Sequence, residues 1–297
     1  MTAAAYETFL SIGDIVFRIA SDDRRLASAA DGPLAPFFAD HGASDVEIQA
    51  RWTDRPAESG GRVLFDAGGS WRLIQSGSDF QFTFRSNRDS SMPYKTARFN
   101  PTFSAGDVQL SRQHFEHRSS EAVYPLEYPL DELLMIHLLS QGRGVEIHGC
   151  GLLSASGRAY LFAGQSGAGK STMARLWIDQ PGVRLLSDER VVLRTDRDRV
   201  MVHGTPWHGE AGLAAPLAGE LAALFFLHHA PAHRVVPADR ARAAAQLLAC
   251  SFLPFHTAGP IDRTVTAVER VTRDAPCYDL WFAPDQSIVQ ALAGHMR

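Results

Sequence analysis

The sequence predicts a mixed α/β domain built on a phosphate-binding loop in its C-terminal part, joined to a strand-rich N-terminal domain. Three observations predict it. Gly164-Gln165-Ser166-Gly167-Ala168-Gly169-Lys170-Ser171-Thr172 fits the pattern Gly, four residues, Gly, Lys, Ser or Thr, between an apolar run and a helical pattern. From Val145 onward, strand and helix patterns alternate. Before residue 126, period-two runs recur without any chemical motif. The expected domains are therefore residues 1–126, an accessory or recognition domain, and residues 127–297, a catalytic domain.

In the first domain Asp14-Ile15-Val16-Phe17-Arg18-Ile19, Val46 to Trp52 and Phe80 to Arg85 alternate polar and apolar residues. Trp71-Arg72-Leu73-Ile74 follows the turn signal Gly68-Gly69. One polar and one apolar face predict antiparallel strands with one side in water. Residues 116 to 129 form the joint: His117-Arg118-Ser119-Ser120 is polar, and Pro125 and Pro129 bracket Tyr128. Pro129 suits the first turn of a helix. Leu130, Leu133, Leu134, His137 and Leu138 recur at helical spacing, and Gly142 is a stop. His137 on that apolar stripe reads as a packed core histidine.

The second domain continues with a strand at Val145 to Gly149 and a hairpin turn at Gly157. The apolar run Ala159 to Ala163 then leads into the loop, and Met173 to Trp177 carries the helical spacing beyond it. After the break at Pro181-Gly182, Val183 to Glu189 is a strand ending in two acids. Val191 to Arg194 and Val200 to His203 predict a hairpin turned by Asp196-Arg197-Asp198. Leu224 to Leu227 is a buried strand, Ala241 to Phe252 a helix, Tyr278 to Phe282 a strand and Ser287 to Leu292 a helix.

Each residue type in the loop has a chemical reason. Glycines let backbone N–H groups crowd against phosphate oxygens, and the helix beginning near Lys170 aims its positive end at them. Lys170 supplies a compact charge to the β- and γ-phosphates, and Ser171 a hydroxyl to Mg²⁺. The chain has only two lysines, Lys95 and Lys170, against many arginines, so a lysine in this place is selective. Asp188 and Glu189 follow Lys170 by 18 and 19 residues at a strand end, which an adjacent-strand arrangement brings beside the loop. One carboxylate there can hold Mg²⁺ while the other accepts a proton from a hydroxyl. His148-Gly149 ends the preceding strand. Gly204-Thr205-Pro206-Trp207-His208-Gly209-Glu210 is a glycine-bounded polar cluster, with Trp207 a stacking or packing group and Glu210 a third acid for the metal. His228, His229 and His233 read as a surface edge, not a zinc site.

The bulk composition narrows the function classes. A chain of 297 residues accommodates two cored domains, and 45% apolar with 21% charged residues is a globular composition. A net charge of −4 argues against nucleic acid as partner. Leu213 to Leu227 is the longest apolar stretch, and Pro216 and Glu220 interrupt it, so no membrane span is expected. Met1 to Glu7 lacks a basic stretch and carries an acid, which predicts no signal peptide. Cys150, Cys250 and Cys277 are too widely spaced for a disulfide framework or zinc knuckle, consistent with a reduced, cytoplasmic setting.

The order His148-Gly149, then Gly164 to Ser171, then Leu185-Leu186-Ser187-Asp188-Glu189 resembles the catalytic domain of HPr serine kinase/phosphorylase. That resemblance covers about residues 145 to 195 and implies a fold similar to the nucleotide domain of phosphoenolpyruvate carboxykinase. It implies that Asp188 takes the proton of a serine hydroxyl, Lys170 holds the phosphates, Ser171 ligates Mg²⁺ and His148 lies beside the acceptor. Glu189 stands where the family has a second Asp, and Thr172 where it usually has Glu. The family's C-terminal signature for the reverse reaction is not recognisable, which favours a plain kinase. The family assembles into homo-oligomers, although no self-association surface is legible here. Similarity to its lasso-peptide-kinase branch would imply a natural-product precursor peptide as acceptor, offered to an edge strand.

The expected function is thus an ATP- and Mg²⁺-dependent kinase acting on a Ser or Thr hydroxyl of a small protein or peptide. Two alternatives carry the same residues: a small-molecule kinase, and a nucleotide-sensing module without catalysis.

Overall fold

A computed structural model of the chain describes residues 6–28, 31–40, 42–86, 92–118, 121–195, 198–254 and 258–296. The chain divides into two compact units, Met1–Leu134 and Met135–Arg297. The chain is mixed α+β in the broad sense: large sheets with few helices.

The first unit is one sheet of strands β1 (Tyr6–Ile12), β2 (Ile15–Ser21), β3 (Phe38–Ala39), β4 (Val46–Thr53), β5 (Arg62–Asp66), β6 (Trp71–Ser76), β7 (Asp79–Arg85), β8 (Pro93–Phe99) and β9 (Ala105–Ser111). Their order is β3-β1-β2-β4-β9-β8-β7-β6-β5. Alternation is clean along β4, where Val46, Ile48, Ala50 and Trp52 are buried and the intervening residues exposed. The expectation of an antiparallel sheet is corrected here, because β2–β4 and β4–β9 are parallel pairs. Side-chain alternation reports which face is buried and carries no information on strand direction. Direction follows from the connections, and the segment between β2 and β4 is long enough for a crossover.

Helix α1 (Leu130–Leu138) spans the division between the units, and His137 on it is buried as expected. It gives way at Gly142, whose φ is 93°. The second unit then has strands β10 (Gly144–Leu153), β11 (Arg158–Ala163), β12 (Arg184–Ser187), β13 (Arg190–Arg194), β14 (Met201–Gly204), β15 (Ala218–His229), β16 (Arg234–Pro237), β17 (Ser251–Phe252) and β18 (Cys277–Phe282). Its helices are α2 (Lys170–Trp177), α3 (Arg240–Ala249), α4 (Ala258–Asp274) and α5 (Ser287–Leu292). The sheet runs β11-β10-β13-β14-β15-β18-β16, and β11 also pairs in parallel with β15, so the path returns on itself. The β13–β14 hairpin forms, but Asp196 and Arg197 of its expected turn lie outside the described residues.

Both faces of this sheet are covered. Along β11, Ala159, Leu161 and Ala163 join a core with Leu247 of α3 and Val268 and Val271 of α4. Tyr160 and Phe162 point the other way, into a core with Met173 and Trp177 of α2 and Ile288 and Leu292 of α5. Burial on both faces explains the unbroken apolar runs at β11 and at Leu224 to Leu227. The expected helix from Ala241 to Phe252 is shorter than read: it stops at Ala249, and Ser251–Phe252 pairs with Glu146–Ile147 as β17. Among the described residues no helix is long and apolar enough to cross a membrane.

Candidate functional site

Between β11 and α2 the chain makes the glycine-rich turn Gly164 to Gly169. Gly167 and Gly169 have φ of 81° and 98°, the left-handed region that glycine enters without a Cβ penalty. A Cβ on Gly169 would lie 2.6 Å from Cζ of Phe282, and one on Gly164 would lie 2.6 Å from Cβ of Ala168. Gln165, Ser166 and Gly167 are exposed, while Ser171 and Thr172 are half-buried in the first turn of α2. Lys170 is 6% exposed, and its Nζ donates to the carbonyls of Gly164 and Gln165, each at 3.0 Å. The ammonium is thus held inside its own loop. Burial lowers its pKa, while Cys250, Glu189 and Cys150 favour the charged form.

Asp188 and Glu189 occupy the break between β12 and β13. The expectation that their strand lies next to the loop strand is corrected: β12 and β13 both pair with β10, and β10 intervenes. Glycines at 149 and 151 keep that intervening stretch of β10 thin, and Gly149 N donates to Glu189 O at 2.9 Å. Glu189 is half-buried and lies 3.8 Å from the Arg190 guanidinium. Asp188 is fully buried, with Oδ1 accepting from Gly209 N at 2.8 Å and Oδ2 from Ala211 N at 2.9 Å. Gly209 permits this approach, since a Cβ there would meet Glu189 Oε2 at 2.8 Å and Asp188 Oδ2 at 3.0 Å.

His148 is half-buried on β10, opposite Arg190, with its ring edge-on to Phe252 at 6.3 Å. Burial, then the charges of Lys170 and Arg190, lower its pKa to about 4. The imidazole is therefore neutral at physiological pH and offers a lone pair. Lys170, His148, Glu189 and Arg190 thus act on one another around the loop. Glu210 does not join them: its side chain is 86% exposed and lies 3.6 Å from the Arg175 guanidinium of α2. Trp207 is buried, packing and not stacking, with its carbonyl 3.4 Å from Ser187 Oγ.

The loop also has a second flank that sequence reasoning missed. A cleft of about 410 Å³ is lined by residues 163–168, Phe226 to His229, Gln246, Ala249 and Cys250. His228 and His229 are not the plain surface edge expected of them. His228 Nε2 lies 2.8 Å from Oδ1 of the buried Asp279, and His229 Nε2 lies 2.6 Å from Gly167 O. The available signal was the lone carboxylate inside the apolar run Tyr278 to Phe282.

For a metal, no group of three or more His, Cys, Asp or Glu side chains is assembled among the described residues. Ser171 and Glu189, both half-buried, each offer a hard oxygen donor of the type Mg²⁺ takes.

No protein family and no curated protein matches the chain. Among solved structures, the Hpr(Ser) kinase/phosphatase from Coxiella burnetii is similar over 43% of this chain and 92% of that chain, at 14% identity and a TM-score of 0.23. A likeness of that size carries no weight for the function of this chain.

Proposed function

We propose that the chain is an ATP- and Mg²⁺-dependent kinase that transfers the γ-phosphate to a Ser or Thr hydroxyl of a small protein or peptide. The observation that carries this reading is the buried Lys170 inside a left-handed glycine turn, with Glu189 and a neutral His148 within its electrostatic reach.

In this reading the backbone N–H groups of Gln165 to Gly169 and the first turn of α2 receive the phosphates. Lys170 exchanges its two carbonyl acceptors for phosphate oxygens. Ser171 and Glu189 would hold Mg²⁺, which would supply charge neutralisation for the transferring phosphoryl group. Glu210 has no part in it. His148 lies beside the acceptor hydroxyl without taking its proton. Asp188 takes the proton, and because both its oxygens face the Gly209–Ala211 backbone, the acceptor reaches it only as that backbone gives way.

The test is transfer of labelled γ-phosphate into polypeptides of the source cell. Lys170→Ala should weaken nucleotide binding roughly 10- to 100-fold, the loss of hydrogen bonds to a charged partner. Asp188→Asn should still bind nucleotide while transfer falls about 10²- to 10⁴-fold. Transfer at the wild-type rate in Asp188→Asn removes Asp188 as the base, and a loss confined to Glu189→Gln gives that role to Glu189. The full burial of Asp188 favours one second reading, a nucleotide-sensing module. It predicts binding without turnover for wild type with every acceptor.

A further inference from the structure

Behind the cleft on the β15 side of the loop, bonded to its lining residues His228 and Gln246, lies a carboxylate that the phosphotransfer reading does not use. Asp279 on β18 has a side chain only 2% exposed. It receives His228 Nε2 at 2.8 Å, Gln246 Nε2 at 3.2 Å and the Arg242 guanidinium. Burial pushes its pKa up, but these donors, Arg242 first, outweigh that and hold the carboxyl below its usual range.

An ionised carboxylate only accepts. That fixes what its neighbours present elsewhere. His228 must give Asp279 its Nε2–H, so in the neutral ring Nδ1 is the acceptor left over. Gln246 must give its amide NH₂, so Oε1 is its remaining group, and that oxygen is buried without a protein partner. The His228 ring is also stacked on Trp281 at 4.9 Å, which leaves it little freedom to turn.

The cleft is contiguous with the loop, since His229 grips the Gly167 carbonyl and its ring stacks on Phe282 at 6.0 Å. It lies on the opposite edge of β11 from β10, which carries His148 and neighbours the acids. Its volume of about 410 Å³ falls within the roughly 300–1,000 Å³ of small-molecule sites, and few polar groups converge on an otherwise apolar wall. Phosphates held by the loop leave the nucleoside on one flank or the other, and the acids' flank is where the acceptor must enter.

We propose that this cleft holds the nucleoside end of the nucleotide, and that His228, oriented by Asp279, accepts a hydrogen bond there from a ribose hydroxyl or an exocyclic base amine. The inference rests on the loop receiving phosphates. Asp279 is a positioning residue, and His228 the contact.

The experiment is calorimetric binding of the full chain, with Mg²⁺, to ATP, inorganic tripolyphosphate, 2′-deoxyATP and purine riboside triphosphate. His228→Ala should weaken ATP by about tenfold, the scale of one lost hydrogen bond, and leave tripolyphosphate unchanged. Asp279→Asn should reproduce that ATP-specific loss, and His228→Ala decides the matter if that variant does not fold. A wild-type deficit with 2′-deoxyATP that His228→Ala does not deepen assigns the ribose hydroxyl. The same pattern with purine riboside triphosphate assigns the amine. Equal losses for ATP and tripolyphosphate in His228→Ala, or none for either, overturn the nucleoside cleft. Lys170→Ala separates the two ideas, because failure to weaken either ligand overturns phosphate binding by the loop itself.

Discussion

Single residues set the geometry of the loop, and glycine substitutions grade their contributions. At Gly169 an alanine meets both a φ of 98° and the Phe282 ring at 2.6 Å. Gly167 has a φ of 81° but open space around it. A left-handed alanine costs about 1–2 kcal/mol, and overpacking adds about 1–3. Gly169→Ala should therefore lower stability and nucleotide binding more than Gly167→Ala, as thermal unfolding and calorimetry of the pair will read. Equal effects would mean that Phe282 yields freely. The sequence made most of these residues legible, because a phosphate loop needs glycine, lysine and hydroxyl at fixed spacing. Glu210 lies 21 residues beyond Glu189, and although the adjacent Gly209 N reaches Asp188, its own side chain is turned outward to Arg175. A spacing argument fixes where a backbone passes and leaves the side-chain direction open.

At the scale of elements, α3 both seals the core and delivers Gln246 and Ala249 to the cleft. Leu247 on it is fully buried, so Leu247→Ala should cost about 2–5 kcal/mol in chemical unfolding, where a surface-like effect below about 0.5 kcal/mol would contradict its place in that core. The longest helix, α4, went unread although its buried stripe Thr264, Ala267, Val268, Val271 and Thr272 has helical spacing. Its Ala-Gly-Pro start looks like a loop, and its threonines and valines have poor helix propensity, which packing overrides. Strands β11, β13, β14 and β18 were legible from apolar runs and turn signals. The pairing of β12 with β10 was not, since neighbours in a sheet are chosen by contacts distant in sequence.

For the molecule as a whole, stability carries the signature of a lysine that does no chemistry in the proposed site. Lys95 is fully buried in the first unit, with Nζ donating to Glu127 O at 2.9 Å and lying 4.6 Å from the Phe84 ring centroid. Burial lowers its pKa from 10.5 to about 8, against the opposing pull of Glu127 and Asp131. Between those values the unfolded lysine keeps its proton and the folded one has lost it, so stability rises with pH across that window. Wild type relative to Lys95→Met should gain on the order of 3 kcal/mol from pH 8 to 10.5 in urea unfolding. A difference flat in pH would show that the ammonium is solvated. The sequence by itself determined the glycine-rich turn with its lysine, the acid pair at a strand end and the contrast between a strand-rich first part and an alternating second part. These are local patterns, written in periodicity and spacing. Only the tertiary structure decided that parallel pairs enter the first sheet, that Asp188 is sealed by the Gly209–Ala211 backbone, and that His228 meets a carboxylate 51 residues away. Those outcomes depend on which strands become neighbours and in what register, and that choice belongs to the packing of the whole sheet, not to any window of the chain.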